Sequence, residues 1–146
     1  DYETIRTAMT AAETGHLLMA TLHTRGAVNT IDRIIDTFPS QQQEQIRTQL
    51  AAVLITVVSQ QLVPDVNGKM TPVFEIMHVN SAIKNMIRDN KSYQIDNAIQ
   101  TSAAEGMISM DQSLITLFQN GKITADTAVE YAVNPDQVAR KIKGRG

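Results

Sequence analysis

The chain has 146 residues, 42% of them apolar and 19% charged, the balance of an ordinary globular domain with enough length to bury a core. A net charge of -2, 4% aromatics and no Trp exclude a general basic surface for nucleic acid and a base-stacking platform. Cysteine is absent, which removes disulfides, thiolate metal sites and thiol nucleophiles together and fits a reducing compartment.

The chain opens on "DYETI" without an initiator Met, which predicts a carboxy-terminal fragment of a longer protein. It shows no signal peptide, and its longest apolar run, "LAAVLITVV" (50–58), is far too short to span a membrane. The segment "ETIRTAMTAAE" (3–13) is rich in helix formers, with Ile5, Met9 and Ala12 on one stripe, and Gly15 suits its end. "HLLMATLH" (16–23) then reads as a short buried strand, because it is too short for a globular helix and follows one already capped. Helix followed by strand is the alternation of α/β proteins. A strand would separate His16 from His23 by roughly 23 Å at about 3.3 Å per residue, so the two rings would not share a site. In open α/β sheets the carboxyl ends of strands line the ligand crevice. His23, with Thr21 and Thr24, is therefore the site candidate, and His16 the structural histidine.

"VNTIDRIIDTF" (28–38) is an amphipathic helix with Ile31, Ile34, Ile35 and Phe38 inward, ended by Pro39. Ser40 with Gln43 reads as a capping box for a third helix, whose stripe of Ile46, Leu50, Val53, Leu54 and Val57 faces the core. "VVSQQLV" and "PVFEIMHV" are β-prone runs joined through Asn67-Gly68, the signal of a hairpin or of two adjacent strands. After Val79 only helices are expected. Asn80 or Ser81 caps "AIKNMIRD" (82–89), and further helices fall at 91–104, 110–120, 124–132 and 135–142, punctuated by Gly106 and Gly121. "ARKIKGRG" (139–146) reads as a frayed basic tail. The division is thus 1–79 and 80–146, the second part a small all-helical layer.

No Walker A loop, HExxH, GxSxG or CxxC is present, so these residues contain no complete catalytic constellation. Contacts of a sensing or positioning kind remain open to His23, Thr24, Glu13 and Arg33, although Arg33 could equally pair with Asp32 or Asp36. Lys84 and Arg88, four apart on a helix, are either a solvated face or a basic strip for an acidic partner. The seven Met residues suit core gaps, and His78 carries no signal of its own.

"TAAETGHLLMATLHT" (10–24) closely resembles the His box of the secretion-type hexameric ATPases that serve type IV pili and type II secretion. Asp1, Glu3 and Thr4 resemble the tail of that family's Walker B segment. "AIKNMIRD" is similar to the AIRNLIRE motif of its pilus retraction branch, with Lys84, Met86 and Asp89 as conservative departures, although Lys lacks the planar fork of Arg. "TIDRIIDTFP", "SQQLVP" and "GMISMDQSL" follow in the family's order.

The resemblance implies an α/β chain: the carboxy-terminal part of a RecA-like P-loop ATPase domain (1–79), lacking Walker A, and then a carboxy-terminal helical region (80–146). It implies a cytoplasmic motor, peripheral to the inner face of the cell membrane, that hydrolyses ATP to drive pilus retraction and twitching. ATP and Mg would be held mainly by residues outside this chain, and no residue of the chain is assigned to a metal. His23 and Glu13 would carry the catalytic contacts, with His16, Thr24 and Arg33 in the nucleotide-binding neighbourhood. Ala82, Ile83, Lys84, Asn85, Met86, Ile87, Arg88 and Asp89 would form the motif facing a partner or the motor. The implied partners are a homo-hexamer and the pilus machinery of the inner membrane, with no nucleic acid and no direct membrane insertion. Extension ATPases of the family often carry a four-cysteine metal motif here, so the lack of cysteine favours retraction over the extension or secretion branches. A non-catalytic helical docking fragment is the alternative from another class.

Overall fold

The computed structural model describes residues 1–144. Helix α1 (Tyr2–Glu13) begins at Asp1, whose carboxylate accepts from the Thr4 amide at 2.8 Å. Met9 is buried, Ile5 packs beside it, and the Tyr2 ring meets Phe38 edge to face at 5.0 Å. The strand expected over 16–23 does not form. The segment is irregular, and most of its apolar side chains stand in solvent, Leu17 86% and Met19 90% exposed, while Leu22 is half-buried against the core. A strand exists only through a ladder to a neighbour, and among the described residues no strand lies alongside this one. Apolar content and shortness cannot supply that partner.

Helix α2 (Ala27–Asp36) buries Ile31, Ile34 and Ile35, with Phe38 beyond its end, as the periodicity requires. Helix α3 (Ser40–Val53) departs from expectation at both ends. Pro39 takes the capping position, Ser40 is already helical, and Gln43 Nε2 donates back to the Phe38 carbonyl at 3.1 Å, so no capping box forms. The inward stripe of Ile46 and Leu50 stops at Val53, because the β-branched run Ile55–Val58 turns the chain into a strand and carries Val57 with it.

Strands β1 (Thr56–Pro64) and β2 (Met70–His78) form the expected antiparallel hairpin, with Ser59 opposite Glu75. Gly68 adopts φ +74° in the turn, where Asp65 accepts from the amides of Asn67 and Lys69 at 2.8 and 2.9 Å. The inward side chains run Val57, Ser59, Val63 on β1 and Val73, Glu75, Met77 on β2, apolar at the ends and polar at the middle. Each end belongs to a different core. Val57 and Met77 join the core of α1, α2, α3 and the residues from Ile83 to Met107, whereas Val63 and Val73 join the core built from Met110 to Val138.

Helix α4 (Ser81–Arg88) is capped by Asn80, whose side chain accepts from the Ile83 amide at 3.0 Å, and it packs on α3. The helix expected over 91–104 is broken into a 3-10 turn, α5 (Ile95–Thr101) and a second 3-10 turn. Ser102 ends α5, and left-handed Gly106 ends the turn that follows. Helices α6 (Met110–Gln119), α7 (Ala125–Glu130) and α8 (Pro135–Lys143) lie where the sequence places them. The frayed tail is corrected for its first half. Residues 139–143 belong to α8, started by the Asn134 cap and Pro135 and held by fully buried Val138. Arg145 and Gly146 lie outside the described residues.

Candidate functional site

Of the candidate residues near the amino terminus, His16, His23 and Thr24 lie on the connection from α1 to α2, and Glu13 and Arg33 on those two helices. Glu13, the last residue of α1, projects into solvent. His16 folds back on that helix end, its Nδ1 3.2 Å from both the Ala11 carbonyl and the Thr14 hydroxyl. A carbonyl only accepts, so in this contact Nδ1 donates and ties His16 to the exposed end of α1. Among the described residues no hydrogen bond or ion pair engages His23, which leaves its imidazole exposed and free to meet a ligand. Thr24 is held, its hydroxyl 2.8 Å from that of Thr30. Arg33 is exposed and pairs with neither Asp32 nor Asp36; among the described residues the one ion pair is Arg88–Asp89 at 3.4 Å.

The described residues form no cluster of three or more His, Cys, Asp or Glu for a metal. The first amide of α2, which would face an anion, is already committed. It donates at 2.8 Å to Oε1 of Glu75, whose other oxygen accepts from the first amide of α6, Met110, at 3.2 Å. Glu75 was missed as a candidate, yet its signal is visible. It is the one acidic residue in "PVFEIMHV", and strict alternation puts it on the inward face with Val73 and Met77.

Glu75 is 4% exposed. Burial pushes its carboxyl above the ordinary 4.5, opposed by the amides of Ala27 and Met110 and assisted by the carboxylates of Asp96 and Asp111. A carboxyl raised in the folded state binds its proton more tightly there than in the unfolded chain. Its contribution to stability is therefore fully present below 4.5 and is lost as pH rises through the folded value. Lowering the pH from 7 towards 4.5 should shift melting temperature in favour of wild type relative to Glu75→Gln, measured by paired thermal scans. A gap that is constant with pH would contradict this sign.

The 82–89 motif divides as its pattern requires, with one exception. Ile83 and Ile87 are fully buried and Met86 half-buried, whereas Ala82 is exposed because it lies on the far side of the first turn. Lys84, Asn85, Arg88 and Asp89 face solvent, and Arg88 donates to Asn85 Oδ1 at 2.7 Å and lies against Asp89. Its C-terminal end borders a polar hollow shared with Gln43, Glu44 and Arg47 of α3.

Residues 1–71 match the family described as Type II/IV secretion system protein. The chain is 45% identical over 95% of its length to a twitching motility protein of Neisseria gonorrhoeae. It is 43% identical over 93% of its length to the type IV pilus retraction ATPase PilT of Pseudomonas aeruginosa. It spans 37% and 40% of those relatives. A solved structure of the pilus retraction motor PilT with bound ADP superposes with a TM-score of 0.85 at 41% identity, covering 96% of this chain and 39% of that one. The shared fold is that of the carboxy-terminal part of an α/β RecA-like ATPase domain with its small helical layer. Nearly the whole chain is thus similar to the carboxy-terminal part of pilus retraction ATPases, and its first 71 residues to the type II/IV secretion system family.

Proposed function

We propose that this chain is part of a cytoplasmic ATPase motor that powers type IV pilus retraction. The supporting observation is the match of nearly the whole chain, at 41% identity, to a retraction motor that binds ADP. In this reading residues 1–79 complete a nucleotide-binding domain and 80–146 form its helical region, with α4 and α5 packed onto the first core. ATP is the fuel and Mg its partner ion, which supplies charge neutralisation on the phosphates when bound. In this reading the residues that would hold most of the nucleotide and its magnesium lie outside this chain. His23, exposed and unengaged, supplies a contact to the terminal phosphate; Glu13 stands on the same connection, and His16, Thr24 and Arg33 shape its surroundings. The motor works as a hexamer at the inner face of the cell membrane. Among the described residues, no helix is long and apolar enough to cross a membrane. Lys84, Asn85, Arg88 and Asp89 offer a polar edge to a neighbouring subunit or the pilus machinery, held in place by Ile83, Met86 and Ile87, with Ala82 at its margin.

The test uses the whole protein. His23→Ala should lower kcat about ten- to hundredfold with KM for ATP changed less than about threefold, because the contact matters most in the reacting state. Lys84→Ala with Arg88→Ala should leave hydrolysis intact and abolish twitching in cells. Wild-type turnover after loss of His23 would remove it from the phosphate site. Normal twitching in the double variant would return the α4 edge to plain solvated surface.

A further inference from the structure

The hairpin is shared by two cores, and its polar waist is where they meet. A hydrophobic residue at position 75 would continue the Val73–Met77 stripe between the two clusters, but would leave the buried amides of Ala27 and Met110 without their acceptor. Glu75 instead buries a carboxylate with no cation beside it, the one ion pair among the described residues being far along α4. Each oxygen is used once. One holds Ala27, the first residue of α2, in the first core; the other holds Met110, the first residue of α6, in the second. The turn before α2 is bound to the same helix. Thr30 donates its hydroxyl to the Gly26 carbonyl at 2.8 Å and meets Thr24, and Asn29 donates to the Arg25 carbonyl at 2.7 Å. Gly26 itself adopts φ +84°, with its missing Cβ position 3.6 Å from Glu75 Oε1. The turn that carries His23 is thus fixed to α2, and α2 is fixed to Glu75.

We infer that Glu75 is a positioning residue, which anchors the His23–Gly26 turn and the α6–α8 helices to one point of the sheet. A displacement of the three helices then moves the acceptor that sets the turn, and the reverse. Two rigid elements joined through one short, charge-assisted bridge are the physical form that such coupling requires. The consequence for turnover rests on the reading of His23 given above; the anchoring itself does not.

The experiment is made on the whole protein with Glu75→Gln, which keeps the shape but offers one acceptor oxygen for two amides. Hydrogen exchange over residues 24–30, 107–113 or both should be at least tenfold faster, with α3 unchanged. kcat should fall at least fivefold with KM for ATP within twofold, and Glu75→Gln should add nothing further in a His23→Ala background. Wild-type exchange in both segments would overturn the anchor. A full additive loss in the His23→Ala background, or wild-type kcat beside accelerated exchange, would overturn its action through His23. If wild type itself hydrolyses no ATP, the motor reading fails, and the exchange result still decides the anchor.

Discussion

Replacing Ile87 by Ala should cost about 3–4 kcal/mol of stability, the range for truncating a fully enclosed isoleucine. Ile87 is 0% exposed and lies in the first core with Ile83, one turn earlier on the same face of α4. The helix has only eight residues, too few to persist in water without its contacts. Its attachment to α3 therefore rests on those two isoleucines and on half-buried Met86, with the Asn80 cap contributing a smaller share. Lys84→Ala, on the exposed flank of the helix, should stay within about 0.5 kcal/mol. Urea unfolding measures both, and a lowered midpoint at unchanged slope is the expected form for Ile87→Ala. The variant should also disorder the Lys84–Arg88 edge, so that any loss of motor function accompanies the loss of stability. An unchanged midpoint would mean that α4 is not seated as the structure has it.

How far the sequence could be read depended on whether each signal was local. The stripe Ile31, Ile34, Ile35 is complete within one helix, and α2 follows from it directly. Asn67-Gly68 fixes the hairpin for the same reason, since a two-strand ladder closes on itself. The run at 16–23 fails because its identity as a strand requires a neighbour that the run itself cannot specify. His23 was chosen from a supposed strand end; it lies instead on an exposed turn, where no hydrogen bond among the described residues ties it down. His16 was placed at a strand entry; it lies instead against the end of α1, its Nδ1 3.2 Å from the Ala11 carbonyl. Glu75 and Asp111 escaped notice because both act across long sequence separations, on amides 48, 35, 22 and 23 residues away. Acidic residues in a sequence read first as solvated; only the inward register of β2 marks Glu75 as an exception.

Asp111→Ala should cost about 2–4 kcal/mol, because it leaves two backbone amides facing a lost acceptor. Asp111 is buried in the first turn of α6, where its charge suits the helix amino terminus. Its Oδ1 accepts from the Val133 amide at 2.7 Å and its Oδ2 from the Asn134 amide at 2.9 Å. Those two residues form the corner between α7 and α8, and Asn134 in turn caps α8 by accepting from the Gln137 amide at 3.2 Å. Helices of six and nine residues do not stand alone, so their place depends on this corner and on Ala128 and Val138 in the second core. Loss of the carboxylate should therefore weaken the second core first. Hydrogen exchange should accelerate over 125–143 while α2 and α3, which bury their side chains in the first core, keep their protection. Asp111→Asn keeps one acceptor oxygen and should fall between wild type and the Ala variant, at about 1–2 kcal/mol. A loss below about 0.5 kcal/mol for Asp111→Ala would mean that the corner is held by apolar packing alone. Protection lost equally in both cores would mean instead that the hairpin's two ends unfold as one cooperative unit.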